Sequence, residues 1–273
     1  MQRIKGYVNF GWQLLDGSRR NHERHLADIR QGDIAPYLEE NPPLRVLDLA
    51  NGYLRPQYVL LKGAGHQVYG IDIANRPQRG WANTAYGVAR WFYTRKLGLT
   101  ASSNGSENLV CGDVAVLPFL DNSFHLVTSI AAFEHFERVV DVVTEIRRIL
   151  RPGGVAWVCI HLFTSPSGGH NLSLTEIPLR NIPPRIDVWD HLRKRQLPFH
   201  VPLNEWRQSQ YLEAFARHFE ILKDYCAIRE GEEFLTPQIR AELSDYSRDE
   251  LTCGAYVILA RKARDQISAL HGC

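Results

Sequence analysis

The chain has 273 residues, of which 44% are hydrophobic, 10% aromatic and 23% charged; this is enough apolar material for one large domain and excludes a globally disordered chain. Thirty-two Lys and Arg against thirty Asp and Glu leave a net charge of +2, without the basic excess that neutralising nucleic acid usually demands. The cysteines at 111, 159, 226, 253 and 273 form no C-x-x-C pair, and no segment reaches the ~20 apolar residues of a membrane span, so a cytoplasmic protein with reduced thiols is expected.

Residues 1–44 read as an amphipathic helical flank or lid: Leu26, Ile29, Ile34 and Tyr37 recur along His22–Tyr37, and Pro42-Pro43 closes the segment. From Arg45 onward, short β-branched runs alternate with helix-like stretches, the pattern of a mostly parallel sheet covered on both faces. Seven strands are predicted, at Arg45–Leu49, Val68–Ile71, Asn108–Cys111, Leu126–Ser129, Val155–Ile160, Phe219–Tyr225 and Ala255–Ala260, giving an α/β doubly wound domain over 45–262 and a tail over 263–273. Gln57–Lys62 is a helix stopped by Gly63 and Gly65. Val139, Val140, Val143, Ile146, Ile149 and Leu150 make the apolar face of another, which Pro152-Gly153-Gly154 ends. Residues 161–204 interrupt the alternation with six prolines (166, 178, 183, 184, 198 and 202); Phe163, Trp189 and Phe199 argue for a packed flap, and a helix is expected from near Asn204.

In an open parallel sheet, ligands bind at the carboxyl ends of the strands, so the residues just after each strand carry the chemistry. Asp48-Leu49-Ala50-Asn51-Gly52 ends the first strand, and Asp72 ends the second, twenty residues beyond Gly52. A glycine turn followed at that distance by an acid is suited to a ribose-bearing ligand. Gly112-Asp113-Val114 follows the third strand, where Asp113 is placed to accept from an exocyclic amine. Duller roles stay open: Asp48 as a loop brace, Asp72 as a helix cap, Asp113 as a turn former.

The runs VLDLANG, VYGIDIA, GDVAVLPFLDNSFHLVTSIAAFEHF and ILRPGGVAWV, in that order, resemble the class I S-adenosylmethionine-dependent methyltransferases over residues 45–160. The resemblance implies a Rossmann-like fold and S-adenosylmethionine as cofactor. It also implies that Asp48, Ala50 and Gly52 line the methionine portion, Asp72 holds the ribose, Asp113 and the Val114 amide read the adenine, and Ser129 and Ala131 sit near the sulfonium. The family's first loop has three alternate glycines where this chain has Ala50, Gly52 and Leu54, a departure that bears on the loop's path. Glu134-His135 stands where the family often has an acid–histidine pair, and is read as capping and packing.

For the acceptor side, His161 directly follows the fifth strand and His170 returns after Gly168-Gly169, so one of them is expected to act as general base toward a hydroxyl, titrating near pH 6.5 if unperturbed. No metal is expected, because neither His161 with His170 nor Asp187, Asp190 and His191 has a standard ligand spacing. The reading is methyl transfer to a small or medium acceptor, at oxygen. Its alternatives are a degenerate, non-catalytic binding protein, favoured by Ala50 and Leu54, and an RNA methyltransferase, disfavoured by the charge balance.

Overall fold

The computed structural model describes residues 18–38, 43–52, 54–73, 81–99, 107–170, 187–199 and 201–264. Helix α1 (Ser18–Ile34) leads into β1 (Arg45–Leu49), α2 (Pro56–Gly63), β2 (Gln67–Asp72), α3 (Trp81–Lys96), β3 (Leu109–Cys111) and β4 (Phe124–Ile130). Then follow α4 (Val139–Ile149), β5 (Leu150–Ile160), α5 (Gln208–Ala216), β6 (Glu220–Arg229), α6 (Pro237–Glu242), α7 (Arg248–Leu251) and β7 (Cys253–Arg261). The seven strands form one sheet in the order β3-β2-β1-β4-β5-β7-β6. β1 to β5 are parallel, and β7 is antiparallel to both β5 and β6. The order reverses between β1 and β4, which opens a crevice at their carboxyl ends.

Alternation along the strands divides the core in two. Leu47, Leu49, Val127 and Val158 face α4 and α5, whose Val143, Ile146 and Phe215 pack on them. Val46, Leu126, Val155 and Trp157 face the other way, against Leu26 and Ile34 of α1 and Tyr58, Val59 and Leu61 of α2. Arg24 of α1 donates to the carbonyl of Leu97, just past α3, so α1 covers one sheet face as a flank. It is fastened there by Asp33, whose carboxylate accepts from Trp157 Nε1 (3.0 Å), Tyr225 Oη (2.6 Å) and Lys223 Nζ (2.9 Å).

Several sequence expectations shift. α1 runs Ser18–Ile34, not His22–Tyr37. α4 buries Val142 and exposes Val140, and it ends at Ile149, so that Leu150 and Pro152-Gly153-Gly154 belong to β5. The backbone of Leu150 turns extended to pair with Phe124, and ladder pairing overrides the helical periodicity. The helix expected near Asn204 begins at Gln208. Asn204 is instead a brace: its Nδ2 donates to Phe133 O (2.7 Å) and Phe136 O (3.0 Å), and its Oδ1 accepts from Tyr211 Oη (2.7 Å).

Of the expected flap, residues 171–186 and 200 lie outside the described residues. Its 188–192 segment packs beside the β6–β7 connection, while Pro202 reaches the cleft at the sheet reversal. Trp189 is fully buried with Leu243 and Leu251, and its Nε1 donates to Thr164 O and Leu251 O, both at 3.1 Å. No helix among the described residues is long and apolar enough to cross a membrane.

Candidate functional site

A cleft of about 540 Å³ opens at the sheet reversal, lined by the ends of β1 (Ala50, Gly52), β2 (Asp72), β3 (Asp113, Val114) and β4 (Ala131, His135), with Arg138 and Pro202 at its rim. The Gly52 amide donates to Asp72 Oδ2 at 3.0 Å, so the acid that closes β2 also ties down the first loop. Gly52 has φ +64°. A Cβ on Gly70 would lie 2.0 Å from Asn51 Nδ2, so a bare backbone is what lets Asn51 lie across β2.

Ala50, at the first of the positions where the family's loop has glycine, has φ +51°. A side chain in the left-handed region costs about 1–2 kcal/mol. Ala50→Gly should therefore stabilise the fold by ~1 kcal/mol, read as a shifted urea midpoint at constant slope; an unmoved midpoint would show the loop to be unstrained. Leu54 turns its bulk inward, only 8% exposed, and Arg55 caps α2 at φ +53°.

Asp113 combines its turn-forming reading with a place on the wall. Its Oδ1 accepts from the Ala115 amide at 2.9 Å and its Oδ2 from Arg138 at 2.5 Å. The Ala115 amide first, with Arg138 added and burial opposing, holds its carboxyl below the usual range.

Two residues expected against the cofactor stand elsewhere. Asp48 is 3% exposed and on the α1–α2 side of β1, because β1 is still in register there, with Asp48 paired to Gly70 and Thr128. Burial pushes it up to about 7 against the pull of Arg30. Arg30 donates to Gln57 Oε1 (2.6 Å) and Gln57 to Glu23 Oε2 (2.9 Å), so Asp48 belongs to a buried polar brace. Ser129 is likewise enclosed in the ladder between Leu49 and Val158; Ala131 and Ala132, past the strand's end, reach the cleft.

Behind the β4 end lies a cluster of histidines around one carboxylate. Glu134, 1% exposed in the short turn Phe133–His135, sets Oε1 at 3.8 Å from Nε2 of His135 and at 3.8 Å from Nε2 of His170. Neither Glu134 oxygen accepts a hydrogen bond of ordinary geometry, and burial pushes the acid up to about 8, partly offset by the backbone of Glu134 and His161. His135 Nδ1 lies 2.8 Å from Pro202 O. The His170 ring is 4.8 Å from that of His135 and 4.6 Å from that of His161. His161 Nε2 is 2.7 Å from Ser167 Oγ, which bonds Glu230.

His161 and His170 are thus brought together, but the histidine on the cleft wall is His135. Desolvation, with repulsion from neighbouring histidines, pushes His161 down to about 4 and His170 to about 3, so an inflection near pH 6.5 does not belong to either. The Glu134–His135 pair, read as capping and packing, gives α4 no cap: the helix starts at Val139 behind Arg138 with no side-chain cap hydrogen bond. Donor atoms of Glu134, His135 and His170 all lie within 4.8 Å of one another, a set that sequence spacing did not offer because His170 arrives from beyond β5.

Residues 47–158 match the family described as methyltransferase domain. Over 167 residues the chain is 34% identical to a sterol 24-C-methyltransferase of Gibberella zeae, covering 61% of this chain and 38% of that protein. Over 155 residues it is 31% identical to 24-methylenesterol C-methyltransferase 2 of Oryza sativa subsp. japonica, covering 55% and 39%. The matched stretch therefore spans less than half the length of these relatives. Geranyl diphosphate C-methyltransferase from Streptomyces coelicolor A3(2) shares the fold, with a TM-score of 0.51 at 13% identity over 88% of this chain and 80% of that one.

Proposed function

Since residues 47–158 match the methyltransferase-domain family, we propose that the chain is a class I S-adenosylmethionine-dependent methyltransferase and that the whole protein transfers a methyl group from S-adenosylmethionine to a small or medium organic acceptor. The observation that carries this is the convergence of Gly52, Asp72 and Asp113 on one cleft at the sheet reversal. The residues fit the cofactor: open space faces Gly52, with nothing within 4 Å of a Cβ there, and two carboxylates from neighbouring strand ends share the wall. In this reading Asp72 accepts from the ribose hydroxyls, Asp113 and the Val114 amide hold the adenine, and Ala50 and Ala131 leave room at the reacting end.

Bound S-adenosylmethionine supplies an electrophilic methyl group. The chain's part is to align the acceptor and exclude water, which is where most of the rate enhancement in such transfers originates. Oxygen is the acceptor atom expected from the sequence. Carbon is the second reading, favoured by relatives named as sterol C-methyltransferases.

Two measurements test the proposal. Calorimetric titration with S-adenosylmethionine should give one site per chain, and no binding would favour the non-catalytic alternative that the strained Ala50 suggests. Labelled cofactor offered with hydroxylated small molecules, isoprenoid alkenes and bulk RNA should place label in one of the first two panels, and exclusive labelling of RNA would overturn the small-molecule reading.

A further inference from the structure

We propose that Glu134, His135 and His170 bind a divalent first-row transition-metal ion at the wall of the cofactor cleft. The gap at the centre of the cluster has the wrong size for hydrogen bonds and nearly the right one for an ion. At 3.8 Å, Glu134 Oε1 is too far from either Nε2 to accept from it. Ligands at about 2.1 Å from a shared ion stand about 3.0–3.4 Å apart, so side-chain shifts on the order of 1 Å convert the cluster into a coordination shell.

Three further features agree. His135 Nδ1, 2.8 Å from the Pro202 carbonyl, must carry its proton there, which leaves the Nε2 lone pair turned toward Glu134. Both Glu134 oxygens and His170 Nε2 are buried without a hydrogen-bond partner, an arrangement costly to any protein unless something binds them. His170 is held there at φ +45°, while a Cβ on the preceding Gly169 would stand 2.8 Å from the His191 side chain, so the backbone is bent to deliver this one imidazole.

Two imidazoles and one carboxylate select zinc, iron or cobalt over magnesium and calcium, which prefer all-oxygen shells. Because His135 lies on the cleft wall, coordination positions left open by the protein adjoin the space beside Ala131 and Ala132, where they would hold an oxygen ligand of the acceptor. That last clause rests on the methyl-transfer reading; the ion site itself does not.

The test uses the full chain, free of any affinity tag and stripped with chelator, titrated with Zn²⁺ by calorimetry and with Co²⁺ by visible absorption. One ion per chain, with cobalt ligand-field bands, is expected. Glu134→Gln and His170→Asn should each weaken binding at least about tenfold, whereas His218→Ala, at the end of α5, should leave it unchanged. His135→Ala, on the cleft wall, repeats the test should either buried variant fail to fold. No binding up to millimolar ion, or full binding in the ligand variants, would overturn the site. S-adenosylmethionine titrated into the same stripped chain keeps the two readings apart: failure there with ion binding intact counts against methyl transfer and not against the ion site.

Discussion

Replacing Asp72 by alanine should weaken S-adenosylmethionine binding at least about tenfold while the chain remains folded. The carboxylate ends β2, lines the cleft with Gly52 and Asp113, and accepts from the Gly52 amide at 3.0 Å. Hydrogen bonds to a charged acceptor contribute on the order of 1.5–3 kcal/mol each, and ~1.4 kcal/mol is a factor of ten in affinity. Loss of Asp72 removes the proposed ribose contact and also frees the loop it holds, so both effects are expected to weaken binding. Asp72→Asn separates them: its carbonyl oxygen can still accept from Gly52, so it should preserve the loop and lose mainly the charge. Calorimetry on both variants, with circular dichroism as the folding control, reads the result. Unchanged affinity in folded Asp72→Ala would remove this residue from the site.

Asp33→Ala should cost about 2–4 kcal/mol of stability, because it strips three donors at once. Trp157 Nε1, in a fully buried ring, would lose its acceptor outright, together with Tyr225 Oη and Lys223 Nζ. The same contacts give the carboxylate a pH signature. Burial pushes the Asp33 pKa up, but the bonds from Tyr225, Trp157 and Lys223 outweigh it and hold the group below the ordinary carboxylate value. A depressed folded-state pKa stabilises the fold above the unfolded-state pKa, and that contribution fades as the pH falls through the folded value. Wild type should therefore lose stability below about pH 4, and the gap between it and Asp33→Ala should narrow there. Urea melts at pH 7 and pH 3 measure both. A deficit under about 1 kcal/mol at pH 7, or one that persists unchanged into acid, would show that α1 is held by its apolar face alone.

The strands and the acids at their ends were legible in the chain because both signals are local. A parallel strand buried on two faces must be a short apolar run, and Val46–Leu49 or Val155–Ile160 admits little else. A carboxylate directly after such a run lies at the carboxyl edge of the sheet whatever the rest of the fold does, which is why the positions of Asp72 and Asp113 on the cleft wall could be read from the chain. One residue further inside, the same logic fails. Asp48 and Ser129 are still in the ladder, where alternation and not proximity to the loop decides which face a side chain sees.

Everything that depends on how separate elements dock was decided by the tertiary structure. Asp33 and Trp157 are 124 positions apart, and nothing in either neighbourhood announces the bond between them. Glu134, His135 and His170 carry no spacing signal, since they meet only when the chain leaving β5 turns back at Gly168-Gly169 toward the end of β4. By itself, the sequence determined the alternating architecture and the edge of the sheet where the cleft opens, because hydrophobic period and strand ends are properties of neighbouring residues. The direction of each polar side chain, and the company of the buried carboxylate, followed from strand register and helix packing, which exist only once the sheet has closed on its helices.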